Sequence, residues 1–325
     1  MKNQYEFIDK NTMEVKTNSL GYQQLITTLT AVGRKVAVQK FFEIPFAEYV
    51  PVVMGNGAFM RAIINWRTFI KGEGFESGII STSGNNAQLH LVDAAYDQVS
   101  QNILNWGKAL EYNIFELEEA MRANTIFSLI EARETARRKE WDLGIQKVAF
   151  LGIQSELGLL NQTGCTTDAT NLTGWIKELS AENFNLFVGK IYELYRANCA
   201  RTAKPTHFIM PEGDFNGLVN YASTTMFTKT KLELLLEAFK TITGNSNFKI
   251  LPCAYGDKAN YDGVYNRYAL LNYDETSIKM DLPMDYVMTQ AGTVNGFTWQ
   301  NVGYGQFTGV ALIRPKELYY FTHTA

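Results

Sequence analysis

The spacing of apolar and polar positions changes several times along the chain, and each change predicts an element. Up to about residue 50 the apolar side chains are scattered among polar ones with weak periodicity. That pattern predicts an arm packed along a surface, with a short helix near Tyr22 to Leu29. Phe41-Phe42-Glu43-Ile44-Pro45-Phe46 is too apolar for a free tail and is expected to dock on the body or on a neighbouring copy. From Ala58 to Tyr112 the chain turns strand-like. Ile63, Ile64, Trp66, Phe69 and Ile70 form a β-rich run, and Lys71 to Gly78 and Ser81 to Asn86 form a Gly/Ser/Asn-rich tip. Leu89, Leu91, Tyr96, Val99, Ile103, Trp106 and Leu110 mark the return. Two long strands around such a tip make a β-hairpin with too little apolar surface to be stable alone. It is expected to lie on another subunit, with Trp66, Phe69, Phe75 and Trp106 as its contacts.

A long helix is predicted next, from Asn113 to Gly144. Asn113 can cap its start, with Glu116 as the capping-box partner three residues on. Glu116, Glu118 and Glu119 crowd the first turns and Arg133, Arg137, Arg138 and Lys139 the last, the polarity that the helix dipole favours. Ala123, Ile126, Phe127 and Ile130 recur at helical spacing as one apolar stripe, read as packing positions. Gly158-Leu159-Leu160-Asn161 follows in an apolar, turn-rich stretch.

Residues 181–291 read as a compact α/β unit. Phe184, Phe187, Val188, Ile191 and Leu194 fit one helix face, and Lys231 to Ile242 forms a second amphipathic helix stopped at Gly244. Thr206 to Pro211 looks like a buried strand, and Lys249 to Leu251, Tyr268 to Leu271 and Ser277 to Leu282 read as further strands. In the strand-like tail, Pro315 suits an edge or a bend.

Composition narrows the function classes. With 30 Lys plus Arg against 33 Asp plus Glu, the formal charge of −3 lacks the basic footprint of a dedicated nucleic-acid binder. Charged residues are only 19 % against a usual quarter, and aromatics reach 13 %, which suits either broad protein–protein contacts or a large apolar core. Cys165, Cys199 and Cys253 are scattered and odd in number, as expected of free thiols in a reducing compartment. Neither a signal peptide nor a membrane-spanning run is read.

Candidate chemistry is weak throughout. His90, His207 and His323 have no partner at metal-ligand spacing, and His207 reads as a satisfied core histidine. Cys165 after Gly164 lacks a nucleophile signature. Gly303-Tyr304-Gly305-Gln306-Phe307-Thr308-Gly309 departs from a dinucleotide loop because position 308 is Thr and no helix follows. Asp257 with Asp262, or Asp281 with Asp285, could form a carboxylate pair but are commonly turn residues. No catalytic, cofactor-binding or metal site is assigned.

The order of elements resembles the major capsid proteins of tailed bacteriophages, the Hong Kong phage type of fold shared with encapsulins. Glu111-Tyr112-Asn113-Ile114-Phe115-Glu116-Leu117, Gly152-Ile153, Gly158-Leu159-Leu160-Asn161, and Trp299 followed by Gly309-Val310-Ala311-Leu312-Ile313-Arg314-Pro315 are similar to one phage branch. The resemblance implies an α+β phage major capsid fold. Its parts would be an N-terminal arm (1–57), an extended β-hairpin loop (58–112), a peripheral domain with the spine helix (113–180), an axial α/β domain (181–291) and a C-terminal return to the peripheral domain (292–325). It further implies self-assembly into pentamers and hexamers of an icosahedral head. That head would enclose double-stranded DNA without sequence-specific binding, with no cofactor and no membrane partner. Assembly would take place in the host bacterial cytoplasm, with a portal, decoration proteins and, given so short an arm, a separate scaffolding protein. Two alternatives stand beside it, an encapsulin-like nanocompartment and, from another class, an α/β enzyme acting on a polar small molecule. A surface-layer subunit or adhesin should have carried a secretion signal.

Overall fold

The computed structural model describes residues 42–71, 93–116, 118, 129–172, 174–220 and 229–323. The expected helix near Tyr22 to Leu29, the hairpin tip with Phe75, and Ala123, Ile126 and Phe127 lie outside the described residues, as does the side chain of Ile130. Fourteen strands and four helices are described. The strands are β1 (Val52–Met54), β2 (Ala62–Lys71), β3 (Asp93–Asn102), β4 (Leu104–Asn113), β5 (Thr166–Asp168), β6 (His207–Pro211) and β7 (Lys249–Cys253). They continue with β8 (Asn266–Leu271), β9 (Ile278–Leu282), β10 (Met284–Met288), β11 (Gly292–Thr293), β12 (Thr298–Phe307), β13 (Val310–Leu312) and β14 (Leu318–His323). The helices are α1 (Leu129–Leu151), α2 (Ala181–Asn198), α3 (Glu212–Gly217) and α4 (Lys231–Thr243).

A five-stranded sheet in the order β5-β14-β8-β6-β7 divides two hydrophobic cores. Side chains alternate across a strand, and here both faces are covered. Ile209, Ala269, Leu271 and Tyr320 point to a core shared with α1. Phe208, Met210, Tyr268, Leu270, Tyr319 and Phe321 point to a core shared with α2 and α4. Every residue of β6 and β14 is buried in consequence. Helix α2 seals its side with Phe184, Val188, Ile191 and Tyr195. Helix α4 starts at a complete capping box between Thr230 and Glu233 and stops at Gly244, φ 68°.

The strand pairings cut across the ranges expected for the axial unit and the tail. β9 pairs with β1 and β13 in a separate three-stranded sheet. β14 inserts between β5 and β8, so it is a central strand of the sheet that carries α2 and α4. Pro315 starts the 3-10 turn Pro315–Glu317 just before β14, placing it at a bend.

Helix α1 outlasts its expected end. Gly144 lies within it, because Ile145, Val148, Ala149 and Phe150 beyond it are buried and their burial outweighs the roughly 1 kcal/mol that a helical glycine costs. Termination comes at Gly152, φ 72°. The Gly158-Leu159-Leu160-Asn161 turn then satisfies the helix's last carbonyls. Leu159 N–H donates to Ala149 O at 2.8 Å, Leu160 N–H to Phe150 O at 2.9 Å, and Asn161 Nδ2 to Leu151 O at 2.6 Å. Such close parallel passage requires glycine at 158, since a Cβ there would overlap the Phe150 carbonyl and the Gly152 nitrogen. At the other end of the predicted helix the expected box is present: Glu116 N–H donates to Asn113 Oδ1 at 2.8 Å and Asn113 N–H to Glu116 Oε2 at 3.3 Å.

Two glycines therefore give opposite predictions. Gly158→Ala should lower unfolding stability by about 3 kcal/mol, because backbone on both sides blocks the methyl. Gly144→Ala, exposed with open space around its Cβ position, should raise it by about 0.5–1 kcal/mol. Denaturant midpoints of the two variants check both signs.

Candidate functional site

Of the residues first considered for chemistry, His90 lies outside the described residues and the others are occupied structurally. Cys165 donates to Gln162 O at 3.3 Å, and burial pushes its thiol up to about 11, so it is a poor nucleophile. Cys199 and Cys253 are buried. Burial also holds His207 down, to about 4, leaving it neutral on β6 with Thr206 Oγ1 at 2.9 Å and the Tyr273 ring at 4.8 Å. Asp262 accepts from the N–H groups of Val264 and Tyr265, and Asp257 from that of Gly213. Asp281 is fully buried against Lys279 at 3.2 Å, whereas Asp285 accepts from Trp141 Nε1 at 3.2 Å. Among the described residues no group of His, Cys, Asp or Glu could hold a metal, and no helix is long and apolar enough to cross a membrane.

The glycines of the 303–309 stretch make room for neighbours. A Cβ at Gly305 would enter the Trp141 ring, one at Gly303 the Tyr286 ring, and one at Gly309 the Leu157 carbonyl. The basic cluster on α1 is spent within the subunit. Arg133 pairs with Glu116 at 3.5 Å, Arg138 with Asp142 at 3.2 Å, and Lys139 with Glu43. Arg137, 5 % exposed, donates to Tyr286 OH at 2.8 Å, Asn301 Oδ1 at 2.9 Å, Asn301 O at 3.2 Å and Lys108 O at 3.3 Å. One guanidinium thus ties α1 to β4, β12 and the β10 aromatic. Sequence reasoning read it only as a charge that suits the helix dipole; its position four residues before Trp141 and eight before Ile145 was the available sign that it faces inward.

Trp106 is corrected by the strand pairing. The returning strand of the hairpin ends at Asn102, and buried Ile103 carries the chain into another sheet, where β4 pairs with β12 from Leu104↔Phe307 to Asn113↔Thr298. Trp106 sits there against Trp141, ring centroids 5.3 Å apart, and belongs to the body instead of the hairpin. The Phe42–Phe46 stretch docks on its own body: Ile44 N–H donates to Gln146 Oε1 at 2.8 Å, and Ile44 and Phe46 pack on the α1 core.

Strands β2 and β3 form a regular antiparallel ribbon from Ala62↔Asn102 to Lys71↔Asp93. Its two faces differ. On one, Ile63 and Gln101 are buried, Gln101 Nε2 donates to Gly309 O at 3.1 Å, and Arg67 reaches Ile313 O at 3.2 Å. On the other, Ile64, Trp66 and Thr68 lie opposite Ser100, Gln98 and Tyr96, all exposed and none charged. Ile64 is 48 % exposed, Trp66 65 % and Tyr96 69 %. Phe69, 51 % exposed, lies on the opposite face beyond the part that touches the body.

The profile of the Major capsid protein family matches residues 78–323, about three quarters of the chain. This chain belongs to that family. Solved structures agree on the fold of the capsid protein. The capsid of the Myoviridae phage XM1 superposes with a TM-score of 0.74 at 16 % identity, over 91 % of this chain and 97 % of that one. The capsid of a native GTA particle matches at 0.56 and 10 % identity, over 95 % and 100 %. Gordonia phage Cozz matches at 0.55 and 11 %, over 95 % and 96 %. Identities this low show the fold alone. No curated protein sequence matches. The capsid protein is accordingly a structural, shell-forming component of a virion, and not an enzyme.

The subunit's own stability is expected to depend on the Arg137 joint. Arg137→Ala strands buried acceptors on β4 and β12 and should cost about 3 kcal/mol, measured by denaturant unfolding. A change below about 1 kcal/mol would mean that those acceptors find other donors.

Proposed function

We propose that this capsid protein closes into pentamers and hexamers of an icosahedral head, with the outer face of the β2–β3 hairpin sealing each subunit onto the next. The observation that carries the reading is the uncharged, exposed face of Ile64, Trp66, Thr68, Tyr96, Gln98 and Ser100. A two-stranded ribbon with one covered face is marginal in water. An exposed face free of charge and carrying Ile64, Trp66 and Tyr96 marks a contact with another macromolecule. A second copy supplies it, because shell subunits meet through repeated contacts that close by symmetry. Trp66 and Phe69 keep the contact role expected of them, Trp66 on the free face and Phe69 at the ribbon's outer end.

In this reading the head encloses double-stranded DNA held by confinement, since the net charge of −3 offers no broad basic wall. A portal, a separate scaffolding protein and decoration proteins complete the particle, assembled in the host bacterial cytoplasm. A cellular compartment of encapsulin type would use the same tile, and nucleic acid inside purified shells separates the two.

The test is a Trp66→Glu/Tyr96→Glu variant of the full chain, followed by sedimentation, negative-stain imaging and circular dichroism. Expected are wild-type folding and unfolding midpoint, within about 0.5 kcal/mol as for other surface changes, together with loss of closed shells and rings. Normal shells from the doubly charged variant would remove the hairpin face from the interface.

A further inference from the structure

Beyond assembly, the far edge of the second core holds a buried polar chain that packing does not require. Tyr268 of β8 places its hydroxyl 3.0 Å from Asp214 Oδ2 on α3 and 2.9 Å from His323 Nε2 on β14. Asp214 also accepts the Lys177 N–H at 2.7 Å and the Ile176 N–H at 3.0 Å, which anchors the turn Ile176–Glu178. Asp214, Tyr268 and His323 are 0 %, 0 % and 3 % exposed. Trp175 closes over the imidazole with ring centroids 5.0 Å apart. The chain joins three elements at the end of the strand that is central to the sheet.

Its hydrogen bonds count protons. A phenol has one proton to donate. With Asp214 ionised, Tyr268 donates to the carboxylate and accepts from His323 Nε2–H. With Asp214 protonated the direction reverses: Asp214 donates to the phenol oxygen, and Tyr268 donates to an unprotonated Nε2. One titratable proton, on either end, therefore leaves the chain fully bonded and without net charge. Removing it buries a lone carboxylate. Adding a second makes both ends donors, so the phenol proton loses its acceptor within the chain.

The surrounding charges are Lys177 and Glu178 on the turn, Glu212 on α3, and Asp257 after β7, with Asp168 on the neighbouring β5. Among these charges only Lys177 is positive, which further disfavours the proton-free state. Burial holds the Asp214 carboxyl above the usual carboxylate range against the hydrogen bonds it accepts from Lys177, Ile176 and Tyr268. For a raised folded pKa the sign is that folding takes up a proton: the stabilisation is complete below the unfolded value and is lost as pH rises through the folded one.

We propose that the Asp214–Tyr268–His323 chain is a proton-sensitive fastening of β14, tightest with one shared proton and loosened when pH moves to either side. Hydrogen exchange of the backbone amides of residues 318–323 in the full chain, corrected for intrinsic rates, reads it between about pH 2.5 and about pH 9, because the unfolded chain takes up the second proton only below about pH 4 and gives up the first only above about pH 6.5. Wild-type protection should rise and then fall with pH, the alkaline limb approaching about tenfold per pH unit at its steepest. Asp214→Asn keeps an acceptor for only one of the two N–H groups, since Ile176 and Lys177 donate to different oxygens, and cannot ionise, so over any uniform loosening its alkaline limb should flatten. His323→Gln should flatten the part of the acid limb that exceeds the contribution of His207, which titrates in the same sheet in every variant. The readout is the shape of the profile, so a uniformly loosened variant does not imitate the effect. A wild-type profile without a maximum, or an Asp214→Asn profile with the alkaline limb intact, overturns the proposal.

Discussion

The capsid protein depends on one sheet being buried on both faces. β14, β8 and β6 have no solvated side, so each residue along them is committed to one core or the other by parity alone. A slip of one residue in β14 would send Tyr320 into the α2–α4 core and Tyr319 and Phe321 toward α1. The register is therefore held from both sides at once. It also joins the unit carrying α2 and α4 to the one carrying α1, through strands rather than through a linker, which is what a load-sharing wall tile needs.

Around that sheet, close approach is obtained by glycine and rigidity by aromatic rings. Gly303 and Gly305 on β12 let Tyr286 and Trp141 lie against the strand backbone, and Trp106 and Phe307 extend the ring cluster, with Phe307 5.8 Å from Trp141. Arg137 enters the same region and donates to backbone carbonyls of β4 and β12. A buried cation with mostly neutral partners is a costly way to join elements. Its directional donors set the angle between α1 and the β4–β12 pair in a way that apolar packing alone would leave loose. The hairpin leaves the body from the edge of this rigid region, fastened on one face and open on the other.

Local signals in the sequence were legible where they were self-contained. Asn113 with Glu116, the helix from Lys231 stopped at Gly244, the β6 run and the β-rich run of β2 each specify structure through neighbours only a few residues away, and each has its expected form. The uncharged hairpin face was half legible: Trp66 was recognisable, but its companion Tyr96 depended on the register across the ribbon.

What the sequence by itself determined is the inventory of elements, the hairpin and the long helix, since these follow from periodicity and capping, while the structural character of the chain came with the resemblance to phage capsid proteins. Only the tertiary structure decided that β4 leaves the hairpin for β12, that α1 runs through Gly144, that β14 is central, and that Asp214, Tyr268 and His323 meet. The reason is the same in each case. Strand partners and buried polar contacts form between residues about 50 to 200 positions apart, and their energies outweigh local preferences of roughly 1 kcal/mol or less.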